Sequence, residues 1–184
     1  MAHAMLPFLE RTPVIPAVKE PETLDRALCH DGAAVFLLCG DILNIGELVD
    51  RVHRAGKQAV IHADLIAGLA PKEIAVDYLR RCGIISTRPH LIRRGRELGM
   101  LTVLRVFAID SKAVSNLGKE TGIGMPDLIE VLPGTIYKVI ARLSRELPVP
   151  LIAGGLLADK ADVTAALSAG ALCVSASDPE LWDL

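Results

Sequence analysis

Polar side chains recur in this sequence at the ends of short apolar runs, where they can converge on one ligand. Lys19 follows the run 14–18, Asp41 follows 33–38, and His62 and Asp64 sit at the end of 58–63. Arg88 closes a short run at 84–85, while Arg105 and Glu130 interrupt the runs 101–107 and 128–132. Gly154 and Gly155 end the run 150–153, and Ser175 and Ser177 end 172–174, just before Asp178-Pro179 opens a short terminal helix. A Gly-Gly turn, hydroxyls and a helix N-terminus together make an anion site, because backbone N–H groups and hydroxyls are donors and glycine lets the backbone come close. Asp64 and Glu130 add acceptors for ligand hydroxyls, so the set fits a small phosphorylated polyol. The same two carboxylates would serve an enzyme as acid and base or as ligands for a divalent cation, acting on a phosphodiester or triose phosphate.

The elements that must position these groups alternate regularly. Strands are expected at 14–18, 33–38, 58–63, 84–85, 101–107, 128–132, 150–153 and 172–174, and amphipathic helical spacing fills the intervals. Asn44 and Glu47 are read as a capping pair, Pro71 as the opening of a helix with Ile74, Tyr78 and Leu79, Asp110-Ser111 as a cap, and 118–126 as a loop. Asp159 caps a helix that Gly170 terminates. Period-two alternation puts Val60, His62 and Asp64 on one strand face, Arg105 with Leu101, Val103 and Phe107, and Glu130 with Leu128 and Leu132. A charged arginine in an apolar strand needs a partner, and Glu130 supplies one. Eight strand–helix units in 184 residues predict a compact α/β (β/α)8 barrel over 1–184, with 1–12 as an N-terminal extension. Its phosphate site would lie at the C-terminal ends of strands 7 and 8; an open doubly wound sheet is the alternative. Gly122-Ile123-Gly124 has no strand before it and no helix directly after it, so it is not a dinucleotide fingerprint.

Composition narrows the function classes. Apolar residues make up 51% and aromatics 3%, so aliphatic side chains build the core, as parallel strands covered on both faces require. A net charge of −2 argues against a protein that coats nucleic acid through overall charge. Cys29, Cys39, Cys82 and Cys173 show no metal-type spacing, so no metal site and reduced thiols are expected. Without a membrane-length apolar run or the features of a signal peptide, a cytoplasmic location is expected, with Met5 a candidate natural start.

The motifs PVIPAVK (13–19), IHADLIAGL (61–69), GIISTR (83–88), LRVFAIDS (104–111), IEVLPG (129–134), IAGGL (152–156) and GALCVSASDPELW (170–182) run the length of the chain. Together they resemble the glycerol-3-phosphate-responsive antiterminators, the glycerol uptake operon regulatory family. IAGGL and the final segment are common to many phosphate-binding barrels; GIISTR, the Arg-x-Phe-x-x-Asp-Ser pattern and LPG, in that order, are more specific. The resemblance implies a barrel that is not an enzyme and needs no cofactor. It would sense glycerol 3-phosphate as effector and act on leader mRNA of a glycerol uptake or utilisation operon so that transcription passes a terminator. Homo-oligomerisation stays open. The candidate RNA contacts are Arg80, Arg81, Arg93, Arg94 and Arg96, in a stretch from Arg80 to Arg105 whose one acid is Glu97. Arginine suits phosphate and stacking contacts, and the opposing reading is an ordinary solvated helix face.

Overall fold

Aliphatic strands that must be covered on both faces find that cover here by closing on themselves. A computed structural model describes residues 9, 12–110, 112, 114, 117 and 125–184. The strands are β1 (Val14–Val18), β2 (Ala34–Leu37), β3 (Gln58–His62), β4 (Gly83–Ser86), β5 (Thr102–Phe107), β6 (Leu128–Leu132), β7 (Leu151–Gly154) and β8 (Cys173–Ala176). All pair in parallel in sequence order, and β8 returns to β1 to close the barrel. The α-helices among the described residues are α1 (Leu24–Cys29), α2 (Ile45–Arg54), α3 (Glu73–Tyr78), α4 (Pro89–Glu97), α5 (Tyr137–Glu146) and α6 (Lys160–Ser168). The closed barrel replaces the open-sheet alternative.

Strand parity divides the core into two layers. Ile15, Ala17, Phe36, Val60, Ile85, Val103, Leu128, Ile152 and Cys173 fill the barrel interior. Alternate residues such as Val35, Ile61, Ile84, Leu104, Ile129 and Val174 pack outward against the helices, meeting Ile45, Leu48, Val52, Leu91, Ile92 and Ile140. The expected faces of His62, Arg105 and Glu130 are therefore the inward ones, because Val60, Val103 and Leu128 share their parity and lie inside. Register then places Arg105 beside Glu130 and Gly154 beside Ser175.

Local signals held at several ends and failed at others. Asp159 caps α6 by accepting from the Asp162 N–H, and Gly170 follows that helix at φ +100°. Asp178 accepts from Glu180 N–H ahead of the short 3-10 turn Pro179–Leu181. At α2, by contrast, Asn44 and Glu47 form no capping box. The Asp41 carboxylate accepts from the N–H groups of Leu43 and Asn44, while Asn44 Oδ1 accepts from Asp41 N–H. An acidic residue at a strand end is thus consumed in an Asx-type turn into the helix. Pro71 lies before α3, which starts at Glu73, and Ile74 and Tyr78 are exposed while Leu79 is buried. Ser111 of the expected cap, most of the 118–126 loop, and most of the 1–12 extension lie outside the described residues.

Candidate functional site

A cavity of about 90 Å³ opens at the C-terminal mouth of the barrel, ringed by residues from β1, β2, β5, β6, β7 and β8 or the loops after them. Its polar lining is Lys19, Arg105, Glu130, Gly155, Ser175 and Ser177, and its apolar lining is Ala17, Leu38, Leu132, Leu156, Leu157 and Ala176. Six of the predicted positions meet there. The aliphatic part of the lining was invisible in the sequence, where those residues look like any other core or loop leucine.

At the floor, Arg105 Nε donates to Glu130 Oε2 at 2.5 Å, and Ser175 Oγ donates to Glu130 Oε1 at 2.5 Å. Glu130 has no exposed surface and Arg105 is 8% exposed. The predicted Arg105–Glu130 partnership therefore exists, but both carboxylate oxygens already hold a partner. The bond from Ser175 reaches across β7, since β6 and β8 each pair with β7 and not with each other. Gly154 makes that possible: a Cβ there would sit 2.6 Å from Ser175 Oγ and 2.7 Å from Glu130 Oε1.

The glycines thus serve internal contacts that the anion-cradle reading of the sequence did not contain. Gly155 adopts φ +74°, and its Cβ would meet the Leu132 side chain at 3.2 Å. Gly134, in the loop after β6, would drive a Cβ to 3.1 Å from Gly154 N, so that loop packs directly on the backbone at the end of β7. Leu156 also has a positive φ, 58°, and is exposed on the cavity rim. Two consecutive left-handed residues with an aliphatic second member are uncommon and keep the loop after β7 in a turn at the mouth.

His62, Asp64 and Arg88 form a separate group on the opposite side of the mouth. Asp64, in the 3-10 turn Ala63–Leu65 after β3, accepts from Ser86 Oγ at 3.0 Å, from Thr87 N–H at 2.8 Å and from Thr87 Oγ1 at 3.1 Å. Arg88 Nε lies 3.3 Å from the same carboxylate, and Arg88 N–H donates to Ser86 Oγ at 3.0 Å. Asp64 accordingly ties the turn after β3 to the residues that open α4. His62 is 3% exposed; its Nδ1 has no hydrogen-bond partner and lies 3.8 Å from Asp64 Oδ2. Burial, followed by the Arg105 charge, pushes its pKa down to about 4, against an opposing pull from Asp64, so the imidazole is neutral. Of Asp64 and Glu130, only Glu130 lines the mouth cavity. Asp41 lies outside that lining as well, in its own turn. Among the described residues no group of three or more His, Cys, Asp or Glu side chains can hold a metal ion.

The arginine stretch is not one-signed in space. Arg81 pairs with Asp50 at 2.8 Å, Arg94 with Asp77 at 2.6 Å and Glu97 at 3.0 Å, and Arg93 approaches Glu73 at 3.9 Å. Arg96 pairs with Asp127, which also accepts from Thr102 N–H and Oγ1 at 2.9 and 2.8 Å. Apart from Glu97, which lies in α4 itself, the acids come from α2, from α3 and from just before β6. A count along the stretch could not include them. Arg80 is exposed.

No helix among the described residues is long and apolar enough to cross a membrane. Residues 14–182 match the family described as glycerol-3-phosphate responsive antiterminator. The chain is 35% identical over 184 residues to the Escherichia coli (strain K12) protein YgcP, covering 98% of this chain and 96% of that protein. The crystal structure of the glycerol uptake operon antiterminator regulatory protein from Listeria monocytogenes str. 4b F2365 superposes with a TM-score of 0.87 at 32% identity, over 92% of this chain and 94% of that one. A glycerol uptake operon antiterminator-related protein from Thermotoga maritima MSB8 superposes with a TM-score of 0.83 at 29% identity, over 94% and 99% of the two chains. More distant barrels, among them aldolases at 11% and 14% identity, share the fold alone.

Proposed function

The chain belongs to the glycerol-3-phosphate responsive antiterminator family, and from that premise we propose that it binds glycerol 3-phosphate in the mouth cavity and, in response, acts on leader mRNA of a glycerol uptake or utilisation operon in the cytoplasm. The observation that carries the reading is the cavity, which brings Lys19, Arg105, Ser175 and Ser177 together at the C-terminal ends of the strands. Arg105 offers a guanidinium whose fork suits phosphate, Lys19 a second cation and Ser177 a short hydroxyl donor, while the leucines cover the carbon chain. The place agrees with the recurring phosphate position of such barrels, after strands 7 and 8.

A regulatory rather than catalytic role is supported by the carboxylates. Acid–base work would need Asp64 and Glu130 to reach one reacting group. Asp64 instead holds Ser86, Thr87 and Arg88, and Glu130 holds Arg105 and Ser175.

For RNA, the exposed members of the arginine set are the contacts to test first. Arg80 and Arg93 are more readily available than Arg94 and Arg96, whose guanidinium groups are occupied by Asp77 and Asp127. The experiment titrates the protein against its own operon's leader RNA with and without glycerol 3-phosphate, at two salt concentrations. Linkage requires ligand to change RNA affinity by the factor by which RNA changes ligand affinity. Arg80→Ala and Arg93→Ala each remove one cation from the RNA phosphates, and each should flatten the log–log salt slope by roughly 0.7 on single-stranded RNA. RNA affinity that ignores the ligand would remove the antiterminator reading for this chain, and unchanged salt slopes would move the RNA surface elsewhere.

A further inference from the structure

Glu130 looks at first like a ligand contact, since it lines the cavity. Its environment points to another task. It is wholly buried, and each oxygen accepts a 2.5 Å hydrogen bond, one from Arg105 Nε and one from Ser175 Oγ. With no exposed surface and one partner on each oxygen, the carboxylate presents little of either oxygen to a ligand hydroxyl. We propose that Glu130 is a positioning residue: held in place by the Ser175 hydroxyl, it takes the Nε–H of Arg105 and fixes the guanidinium plane, so that a phosphate monoester meets the terminal N–H donors of Arg105 in a preset orientation. This role rests on the assignment of the mouth cavity as the effector site.

Energetics separates this from a plain stabilising ion pair. Burying two charges costs desolvation that their attraction only roughly offsets, and apolar replacements of such pairs are often as stable or more so. A buried pair at the floor of a cavity is therefore poorly explained by stability alone. The sequence also carries a second adaptation to the same contact. Gly154, on the strand between the two partners, would place a Cβ within 2.7 Å of both Glu130 Oε1 and Ser175 Oγ. The glycine thus leaves open the path along which the carboxylate reaches Ser175. An Nε held by a carboxylate also restricts rotation of the guanidinium plane, and orientation of that plane separates arginine from a lysine point charge in phosphate recognition.

The test uses the intact chain, with glycerol 3-phosphate and inorganic phosphate as probes in calorimetric titrations. Glu130→Gln keeps the shape but removes the charge, and Gly154→Ala disturbs the Glu130–Ser175 contact without deleting a polar group. Each is expected to weaken glycerol 3-phosphate binding by about tenfold to a hundredfold, the range set by one charge-assisted hydrogen bond. Ile61→Val, a core change in the layer outside the barrel, is expected to lower stability and leave affinity unchanged, which separates positioning from general loosening. Should either cavity-floor variant fail to fold, nuclear magnetic resonance of the wild-type Arg105 Nε–H decides: this proton is expected to be exchange-protected before ligand is added, with the terminal amino groups resolving on binding. Wild-type affinity in Glu130→Gln and Gly154→Ala, equal weakening by Ile61→Val, or a freely exchanging Nε–H in the unliganded protein would overturn the positioning role and leave the site intact. A wild-type chain that binds neither probe would overturn the site assignment, and this role with it.

Discussion

Acidification should destabilise this barrel through one imidazole. His62 is 3% exposed on the inward face of β3, its Nδ1 is unpartnered, and its pKa is lowered from 6.5 to about 4 by burial and then by Arg105. In the unfolded chain it titrates near the ordinary histidine value, about 6.5. Between those two values the unfolded state binds more protons than the folded one, so stability falls as pH falls through that window and is unaffected by His62 above it. The full difference is worth about 3 kcal/mol at 1.36 kcal/mol per unit, and about 2 kcal/mol of it is lost between pH 8 and pH 5. Denaturant unfolding at a series of pH values, on wild type and on His62→Gln, isolates this contribution, because glutamine cannot charge and the other titrating groups are common to both chains. The wild type should lose about 2 kcal/mol more than the variant over that range. Direct titration of the His62 ring by nuclear magnetic resonance gives the folded-state value. A folded pKa near 6.5, or parallel stability profiles in the two proteins, would refute the reasoning.

Three further outcomes follow from the same contacts. Asp64→Ala strips acceptors from Ser86, Thr87 and Arg88; it should cost roughly 1–3 kcal/mol and speed hydrogen exchange of the Thr87 amide, measured by denaturation and exchange. Gly155→Ala forces a side chain into φ +74° against Leu132, so the thermal midpoint should fall with a cost of about 1 kcal/mol or more even without ligand. Arg96→Ala should lower stability measurably because it breaks the contact with the nearly buried Asp127, whereas Arg93→Ala, whose 3.9 Å pair is exposed on both sides, should stay within about 0.5 kcal/mol of wild type.

Much of this arrangement was legible in the residues because it depends on local periods. Alternation grouped His62 with Val60, Arg105 with Val103 and Glu130 with Leu128, faces that the closed barrel turns inward, and the bare need of a buried guanidinium for a carboxylate paired Arg105 with Glu130. What the sequence hid depends on contacts between distant segments. Gly154 reads as part of a phosphate turn, and nothing near it in the sequence shows that β6 and β8 are bonded across it. Asp64 reads as a ligand acceptor, and the sequence does not show that Ser86 at the end of β4 and Thr87 after it donate to it. The arginine run reads as basic because Asp127, 31 residues beyond Arg96, is not in the window. The Asn44–Glu47 pattern fits a capping box, yet Asp41, ahead of the turn, takes the Asn44 N–H, and Asn44 Oδ1 turns back to the Asp41 N–H.

The most direct test of the central claim is a calorimetric titration of wild type and Arg105→Gln with glycerol 3-phosphate and with glycerol. Saturable binding of glycerol 3-phosphate to the wild type is predicted, with glycerol far weaker because it lacks the anion, and with Arg105→Gln severely impaired. At ligand concentrations about 100-fold above the dissociation constant, the wild type should also gain about 2.7 kcal/mol of stability. Equal binding of the two ligands, or undiminished binding by Arg105→Gln, would contradict the assignment of the mouth cavity as a phosphate-reading site.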